Sequence, residues 1–312
     1  MLNIIGQSQA IELLTRAIEK NRLAPAYLFT GYTGIGKSLT AQYFIELLFC
    51  HHIPEEKHSG IKKKLLKCNH PDLLWVQPTY QHQGKLLTTK EAKEIGLKRK
   101  ASPQIRTEQI REITRFLSRP PLEASRAVVV IEEAQTMAES PANALLKTLE
   151  EPGQATLILL APSTDSLLPT LVSRCQRIPF YRLAVAEMEE VLKSLGREDI
   201  LSEPLILAIA QGSPGEAIYA WEQLQAIPEE LLTKLNQIPD HPVAALNLAR
   251  EVVDNLETES QLWLINYLQY IYWEQKRQPN ILQKLEETRK FILSYVQPRL
   301  VWEVMFLSFV NC

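Results

Sequence analysis

The sequence predicts an α/β fold: a phosphate-binding domain on a parallel sheet, followed by parts that are helical throughout. Three observations predict it. Residues 31–38 read Gly31-Tyr32-Thr33-Gly34-Ile35-Gly36-Lys37-Ser38, an unbroken Gly-x-x-x-x-Gly-Lys-Ser phosphate loop. Helix-like and strand-like segments alternate through the first half, as in a parallel α/β domain. From about Leu183 the pattern changes to continuous helices with few strand signals.

The elements follow in chain order. Helical spacing covers Gln7 to Asn21, and the apolar, aromatic run Ala26-Tyr27-Leu28-Phe29-Thr30 reads as a strand. The phosphate loop comes next, then a helix over Lys37 to Leu48 whose N-terminus lies at the expected phosphates. Glycines in such a loop let backbone N–H groups wrap the α- and β-phosphates. The Lys37 ammonium reaches the β- and γ-phosphates, and the Ser38 hydroxyl can hold Mg²⁺. The expected contacts to ATP or ADP with Mg²⁺ are therefore Gly31, Thr33, Gly34, Ile35, Gly36, Lys37 and Ser38.

Further strands are expected over Asp72 to Val76, Ala127 to Ile131 and Thr156 to Ala161, and helices over Thr107 to Ser118 and Ser140 to Glu151. Val128-Val129-Val130-Ile131 is apolar on both faces and belongs in the middle of a covered sheet. It runs directly into Glu132-Glu133. Nucleotide hydrolysis needs a carboxylate there to orient the metal and a second to align the attacking water. The metal-orienting position is usually Asp, and a Glu at 132 reaches about 1.5 Å further, one carbon–carbon bond. The plainer alternative is that Glu132 and Glu133 only add favourable charge at the next helix.

Gln77 to Arg106 shows no sustained periodicity and reads as an insertion or a mobile loop. Its basic group Lys98-Arg99-Lys100 could meet nucleic-acid phosphates, or simply be a solvated surface loop, the plainer reading. Lys62-Lys63-Lys64 and Lys67 share that ambiguity. Further on, Gln211 to Glu216 and Pro239 to Pro242 punctuate the helices, and beyond Val243 the pattern is rich in Leu, Trp and Tyr. Three parts result: 1–180, 181–224 and 225–312.

At 312 residues and 46% apolar content the chain can bury more than one core, and a net charge of −2 argues against a nucleic-acid coat protein. No apolar run of membrane-spanning length occurs, and the N-terminus lacks a basic start with a cleavage site. The cysteines Cys50, Cys68, Cys175 and Cys312 are scattered. A soluble, cytoplasmic protein is expected.

Three segments, Ser140-Pro141-Ala142-Asn143-Ala144-Leu145-Leu146-Lys147-Thr148-Leu149-Glu150-Glu151-Pro152, Leu167-Leu168-Pro169-Thr170-Leu171-Val172-Ser173-Arg174-Cys175 and Gln211-Gly212-Ser213-Pro214-Gly215, make a resemblance specific. Together with Asn69-His70-Pro71-Asp72 they resemble bacterial clamp-loader ATPases of the AAA+ superfamily, most of all the delta-prime type of DNA polymerase III subunit. The resemblance covers the first two parts nearly end to end. In the third it rests on Val296-Gln297-Pro298-Arg299-Leu300 and the helical pattern. It implies a P-loop AAA+ domain, a small helical lid and an all-helical C-terminal collar. It also implies a heteropentamer with gamma/tau and delta subunits that loads a sliding clamp on primer–template DNA.

A guanidinium directed into a neighbour's ATP site stabilises charge developing on the γ-phosphate. The resemblance implies that Arg174 does so in trans. Other positions depart from the motor subunits. Leu160-Ala161-Pro162-Ser163 stands where motors place a polar γ-phosphate sensor, and only Ser163 could substitute. Gly212-Ser213-Pro214-Gly215-Glu216 has an acid and no Arg where motors grip the nucleotide. A site without that cation loses transition-state stabilisation. The expectation is a subunit with weak or absent ATPase and no polymerase site. The alternatives are an autonomous AAA+ motor of the gamma/tau type or another remodeller, or a scaffold with a vestigial loop.

The family usually carries four closely spaced cysteines before the His-Pro-Asp segment. Here that interval holds Cys50, His51, His52, His58, Cys68 and His70. Zinc on Cys50 and Cys68 with two histidines is chemically feasible, but no Cys-x-x-Cys pair exists. A degenerate knuckle, with Cys50 buried at a helix end, is the preferred reading.

Overall fold

The computed structural model describes residues 4–97, 102–150 and 153–310. Lys98, Arg99 and Lys100 lie outside the described residues, as do Glu151, Pro152 and Cys312. The chain divides into two compact units, residues 1–191 and 192–312.

The first unit runs α1 (Ser8–Glu19), β1 (Ala26–Thr30), α2 (Lys37–Cys50), α3 (Glu55–Leu66), β2 (Leu73–Val76), β3 (Thr79–His82), β4 (Lys85–Thr88), α4 (Thr89–Glu94), α5 (Thr107–Leu117), β5 (Ala127–Ile131), α6 (Glu139–Glu150), β6 (Ala155–Ala161), α7 (Pro169–Val172) and β7 (Gln176–Pro179). Five strands form a sheet in the order β2-β5-β6-β1-β7. Every pairing in it is parallel, with Leu28 opposite Leu159 and Val129 opposite Leu157.

Because side chains alternate across a strand, the central strands β1, β5 and β6 each feed two cores. Tyr27, Phe29, Val128, Val130, Ile158 and Leu160 face one side, covered by Leu14 and Ile18 of α1 and Phe44 and Ile45 of α2. Leu28, Val129, Ile131, Leu157 and Leu159 face the other, covered by Ile110 and Ile113 of α5 and Leu145 and Leu149 of α6. Burial on both faces is why these strands read as continuous apolar runs.

Ahead of β2, Asp72 is buried, and its carboxylate accepts the backbone N–H groups of Leu122, Glu123 and Ala124, each at 2.7 Å. His70 is buried beside it, with its ring 4.5 Å from that of Phe49; its Nδ1 accepts the Asp72 N–H. The His-Pro-Asp segment thus fastens the loop that leads into β5.

Two expectations are corrected. The part of the 77–106 segment that is described is regular rather than a mobile loop: β3 and β4 form an antiparallel hairpin, Thr79 opposite Thr88 and His82 opposite Lys85. Its two-residue turn, Gln83-Gly84, has both φ angles positive, 48° and 78°, as the favoured hairpin turns require. Thr88 and Glu91 then cap α4 reciprocally. Four-residue strands are too short to show a period, so the signal was in the turn and the capping box. The second correction is α3, which fills the interval set aside for a knuckle. Lys62 on it pairs with Glu46 at 2.9 Å, and Lys64 with Glu123 at 2.6 Å. Each of these two lysines thus meets a carboxylate remote in sequence.

Helix α8 (Val185–Ser194) carries the chain across the division. The second unit holds α9 (Pro204–Ala210), α10 (Pro214–Ala226), α11 (Glu229–Leu235), α12 (Pro242–Asn255), α13 (Thr258–Lys276), α14 (Pro279–Leu293) and α15 (Pro298–Val310). Helices α12 and α15 pack together, as do α13 and α14. The aromatic side chains divide between core and surface. Trp263, Tyr267, Trp302 and Phe306 are buried, whereas Trp273 and Phe291 are exposed. Trp302 Nε1 donates to Gln261 Oε1 at 2.9 Å, and Gln261 Nε2 donates to the Leu256 carbonyl at 2.8 Å. Among the described residues no helix is long and apolar enough to cross a membrane.

Candidate nucleotide site

The loop between β1 and α2 is tied on both sides at the carboxyl ends of the strands. Gly31 N–H donates to the Ala161 carbonyl of β6 at 3.2 Å. A Cβ on Gly31 would lie 2.6 Å from the Phe180 carbonyl oxygen, so only glycine fits there. Gly36, with φ 96°, precedes α2 and offers no side-chain cap, and the first turn of α2 carries no acid. The N–H groups of that turn are thus left to an anion. Ile35 turns its side chain into the core, so it can serve a ligand only through its backbone.

A cavity of about 310 Å³ opens here, lined by Thr33, Gly34, Gly36, Lys37 and Ser38 on one side and by Glu132, Glu133 and Gln135 on the other. Lys37 Nζ donates to the carbonyls of Gly31 and Tyr32, the latter at 2.6 Å, and burial pulls its pKa down to about 8. Ser38 Oγ donates to Glu132 Oε1 at 2.7 Å. The hydroxyl and carboxylate expected at a metal are therefore in contact, although β6 separates β1 from β5 in the sheet. A donor set of hydroxyl and carboxylate oxygens suits Mg²⁺. Glu133 lines the same cavity, its pKa raised first by desolvation and then by the charge of Glu132. The third wall is Leu160, Ala161 and Pro162, with no side-chain hydrogen-bonding group among them.

Sequence reasoning missed Gln77 and Gln135. Gln77 Nε2 donates to Glu132 Oε2 at 2.7 Å. Gln135 points a buried amide oxygen with no partner among the described residues. Neither position carries a local motif; each is found only once the strand ends are brought together. Arg182 also lies over the ring of Tyr32, 3.8 Å from its centroid.

Arg174 sits just beyond α7. Its guanidinium donates to the Thr170 carbonyl at 3.1 Å and to Glu150 Oε1 at 2.8 Å, and it is 38% exposed. Next to it the thiol of Cys175 is pushed up to about 11 by burial, which makes it a poor nucleophile or ligand. In the second unit, Ser213 caps α10 by accepting the Glu216 N–H at 3.3 Å, and burial raises the Glu216 pKa.

The candidate zinc donors do not converge. Among the described residues no three His, Cys, Asp or Glu side chains are grouped to hold a metal. Cys50 ends α2 and is half-buried, Cys68 is exposed, and His58 Nε2 lies 2.8 Å from the Ile53 carbonyl oxygen. With α3 in the interval and His70 packed on Phe49, these residues do not fit zinc.

Residues 6–184 match the family model for the DNA polymerase III delta subunit. Residues 186–309 match that for the C-terminal domain of cyanobacterial DNA polymerase III delta prime. The delta-prime subunit of Bacillus subtilis is 33% identical over 189 residues, 60% of this chain and 51% of its own length. That of Pseudomonas aeruginosa is 32% identical over 197 residues, 61% of this chain and 54% of its own. The chain thus spans about half the length of these curated relatives. A DNA polymerase III gamma subunit-related protein from Thermotoga maritima shares the fold, with a TM-score of 0.56 and 17% identity over 97% of this chain and 99% of its own. With both units matched by models of one holoenzyme's subunits, the chain belongs to the DNA polymerase III delta-prime family.

Proposed function

We propose that this protein is a clamp-loader subunit of the DNA polymerase III holoenzyme, helping to load a sliding clamp on primed DNA. Its own site holds ATP or ADP with Mg²⁺ but turns it over weakly or not at all. The observation that carries this is a cavity with a phosphate cradle whose wall at the end of β6 is apolar. Lys37, the open N-terminus of α2 and the Ser38–Glu132 contact would hold the phosphates and Mg²⁺, whereas Leu160, Ala161 and Pro162 form an apolar wall. A bound Mg²⁺ supplies charge neutralisation at the phosphates.

Arg174 acts on a neighbour. A solvent-exposed ion pair is worth about 0–1 kcal/mol, so exchanging Glu150 for a partner's γ-phosphate costs little. Residues 181–224 would serve as a lid and 225–312 as a collar, in a cytoplasmic heteropentamer with gamma/tau and delta subunits.

A second reading, an autonomous AAA+ motor, is favoured by Glu133. Its raised pKa and its place in the cavity suit a general base.

Nucleotide binding and turnover by the isolated chain, repeated after adding a gamma/tau subunit, separates the two. The proposal expects binding with negligible turnover, and a complex whose ATPase falls about a hundredfold or more with Arg174→Ala. Rapid turnover by the chain alone, abolished by Lys37→Ala, establishes the motor reading instead. An assembled complex indifferent to Arg174→Ala removes the finger assignment.

A further inference from the structure

The structure assigns Gln77 as the positioning residue that holds the over-long Glu132 carboxylate in register with the metal-binding hydroxyl of Ser38. The assignment rests on the reading that this cavity takes Mg²⁺–nucleotide. A glutamate has one more rotatable bond than aspartate, so an unrestrained carboxylate at 132 would sample positions away from Ser38 and lose entropy on each return. Here both of its oxygens are held. Oε1 accepts from Ser38 Oγ at 2.7 Å and Oε2 accepts from Gln77 Nε2 at 2.7 Å. The backbone on either side is fixed as well, because the Glu132 N–H donates to the Val76 carbonyl at 2.9 Å.

Gln77 is itself anchored. Its carbonyl accepts from Gln109 Nε2 at 2.8 Å, and Gln109 Oε1 accepts from Thr79 Oγ1 at 3.1 Å and from the Arg106 N–H at 3.0 Å. Gln109 is buried, whereas Gln77 is exposed. The amide that steers Glu132 therefore projects from a rigid support at the end of β2. Pro78 follows directly, and its ring restricts the backbone of Gln77 to extended conformations. A neutral amide suits the task, because a cation there would compete with the metal for the carboxylate. An aspartate at 132 would be too short to reach Gln77 and Ser38 together, so the longer Glu132 and the Gln77 amide work as a pair.

The test is a double-mutant cycle on the full chain with a fluorescent ADP analogue, titrated with Mg²⁺ and with EDTA. Gln77→Leu should reduce the Mg²⁺-dependent gain in affinity about fivefold, the worth of one hydrogen bond to a charged group at an exposed site. Binding in EDTA and the melting temperature should not move. In the Glu132→Asp background, Gln77→Leu should change the Mg²⁺ dependence by less than about 1.5-fold, because the coupled partner is out of reach. A wild-type chain that binds no nucleotide overturns the cavity reading and this assignment with it. Wild-type binding that Mg²⁺ tightens, left untouched by Gln77→Leu, overturns the assignment alone. So does an equal loss in the Glu132→Asp background, or an equal loss in EDTA.

Discussion

Asp72→Asn tests whether the His-Pro-Asp segment is a structural fastener. The carboxylate is 3% exposed and accepts three backbone N–H groups at 2.7 Å, one on Oδ1 from Leu122 and two on Oδ2 from Glu123 and Ala124. An amide of the same shape keeps one acceptor oxygen. Turned towards Glu123 and Ala124, it faces its NH₂ against the Leu122 N–H and leaves that donor unpaired, at about 1–3 kcal/mol. The two remaining bonds lose their charge assistance, roughly 0.5 kcal/mol each. The total is about 3 kcal/mol, and in a unit of 191 residues each kcal/mol moves the midpoint by roughly 2–4 °C. The first unit should therefore melt about 6–12 °C lower. Two compact units need not unfold together, so thermal denaturation should be paired with hydrogen exchange at residues 122–124, which identifies the affected transition. A midpoint shift under about 2 °C, or unchanged protection at those amides, would refute the fastener.

Two further outcomes follow from buried polar groups. Burial holds the Lys37 pKa near 8 in the free chain, and phosphates favour the charged form, so nucleotide binding takes up a proton between that value and the higher one in the complex. Affinity should be flat below pH 8 and then fall by up to about tenfold per pH unit; isothermal titration in buffers of different ionisation enthalpy reads the proton directly. Affinity that holds or rises above pH 8 contradicts the burial of Lys37. Trp302→Phe leaves Gln261 Oε1 buried without its donor and should cost the second unit about 2 kcal/mol in urea unfolding. A loss below 0.5 kcal/mol would mean that the hydrogen bond contributes nothing beyond packing.

The parallel sheet was legible because both of its faces are covered. β5 is apolar at every position, and β1 and β6 depart from that only at Thr30 and Thr156, so these runs need no context to read as buried strands. β7 was not legible. Gln176-Arg177-Ile178-Pro179 is an edge strand with polar residues and a proline, acceptable only where one side lacks a partner. α3 was missed for a related reason. Its inner face meets the core with only Ile61 and Leu65, and its lysines pair with carboxylates remote in sequence at Glu46 and Glu123. Charge runs in a sequence do not show their partners. The candidate site divides the same way. Gly31 to Ser38 is contiguous and readable, whereas the contacts of Glu132 with Ser38 and Gln77 span 94 and 55 positions and exist only after folding.

That division bears on how holding a nucleotide and hydrolysing it can come apart. The phosphate cradle is a local product of one strand, one loop and one helix N-terminus, so it persists as long as β1 and α2 fold. Turnover needs groups delivered from β5, β6 and beyond, and each can drift independently. At β6 Leu160, Ala161 and Pro162 line the cavity with no polar side chain. At β5 the delivery is altered, with Glu132 reaching Ser38 while Gln77 holds its other oxygen. On the proposed reading, a site built this way would retain the term that binds phosphate and shed the terms that act only in the transition state. By the logic of differential binding such an arrangement would hold nucleotide without accelerating its hydrolysis. On the proposed reading, bound nucleotide then stabilises this unit within an assembly, while Arg174 works on a site that another chain supplies.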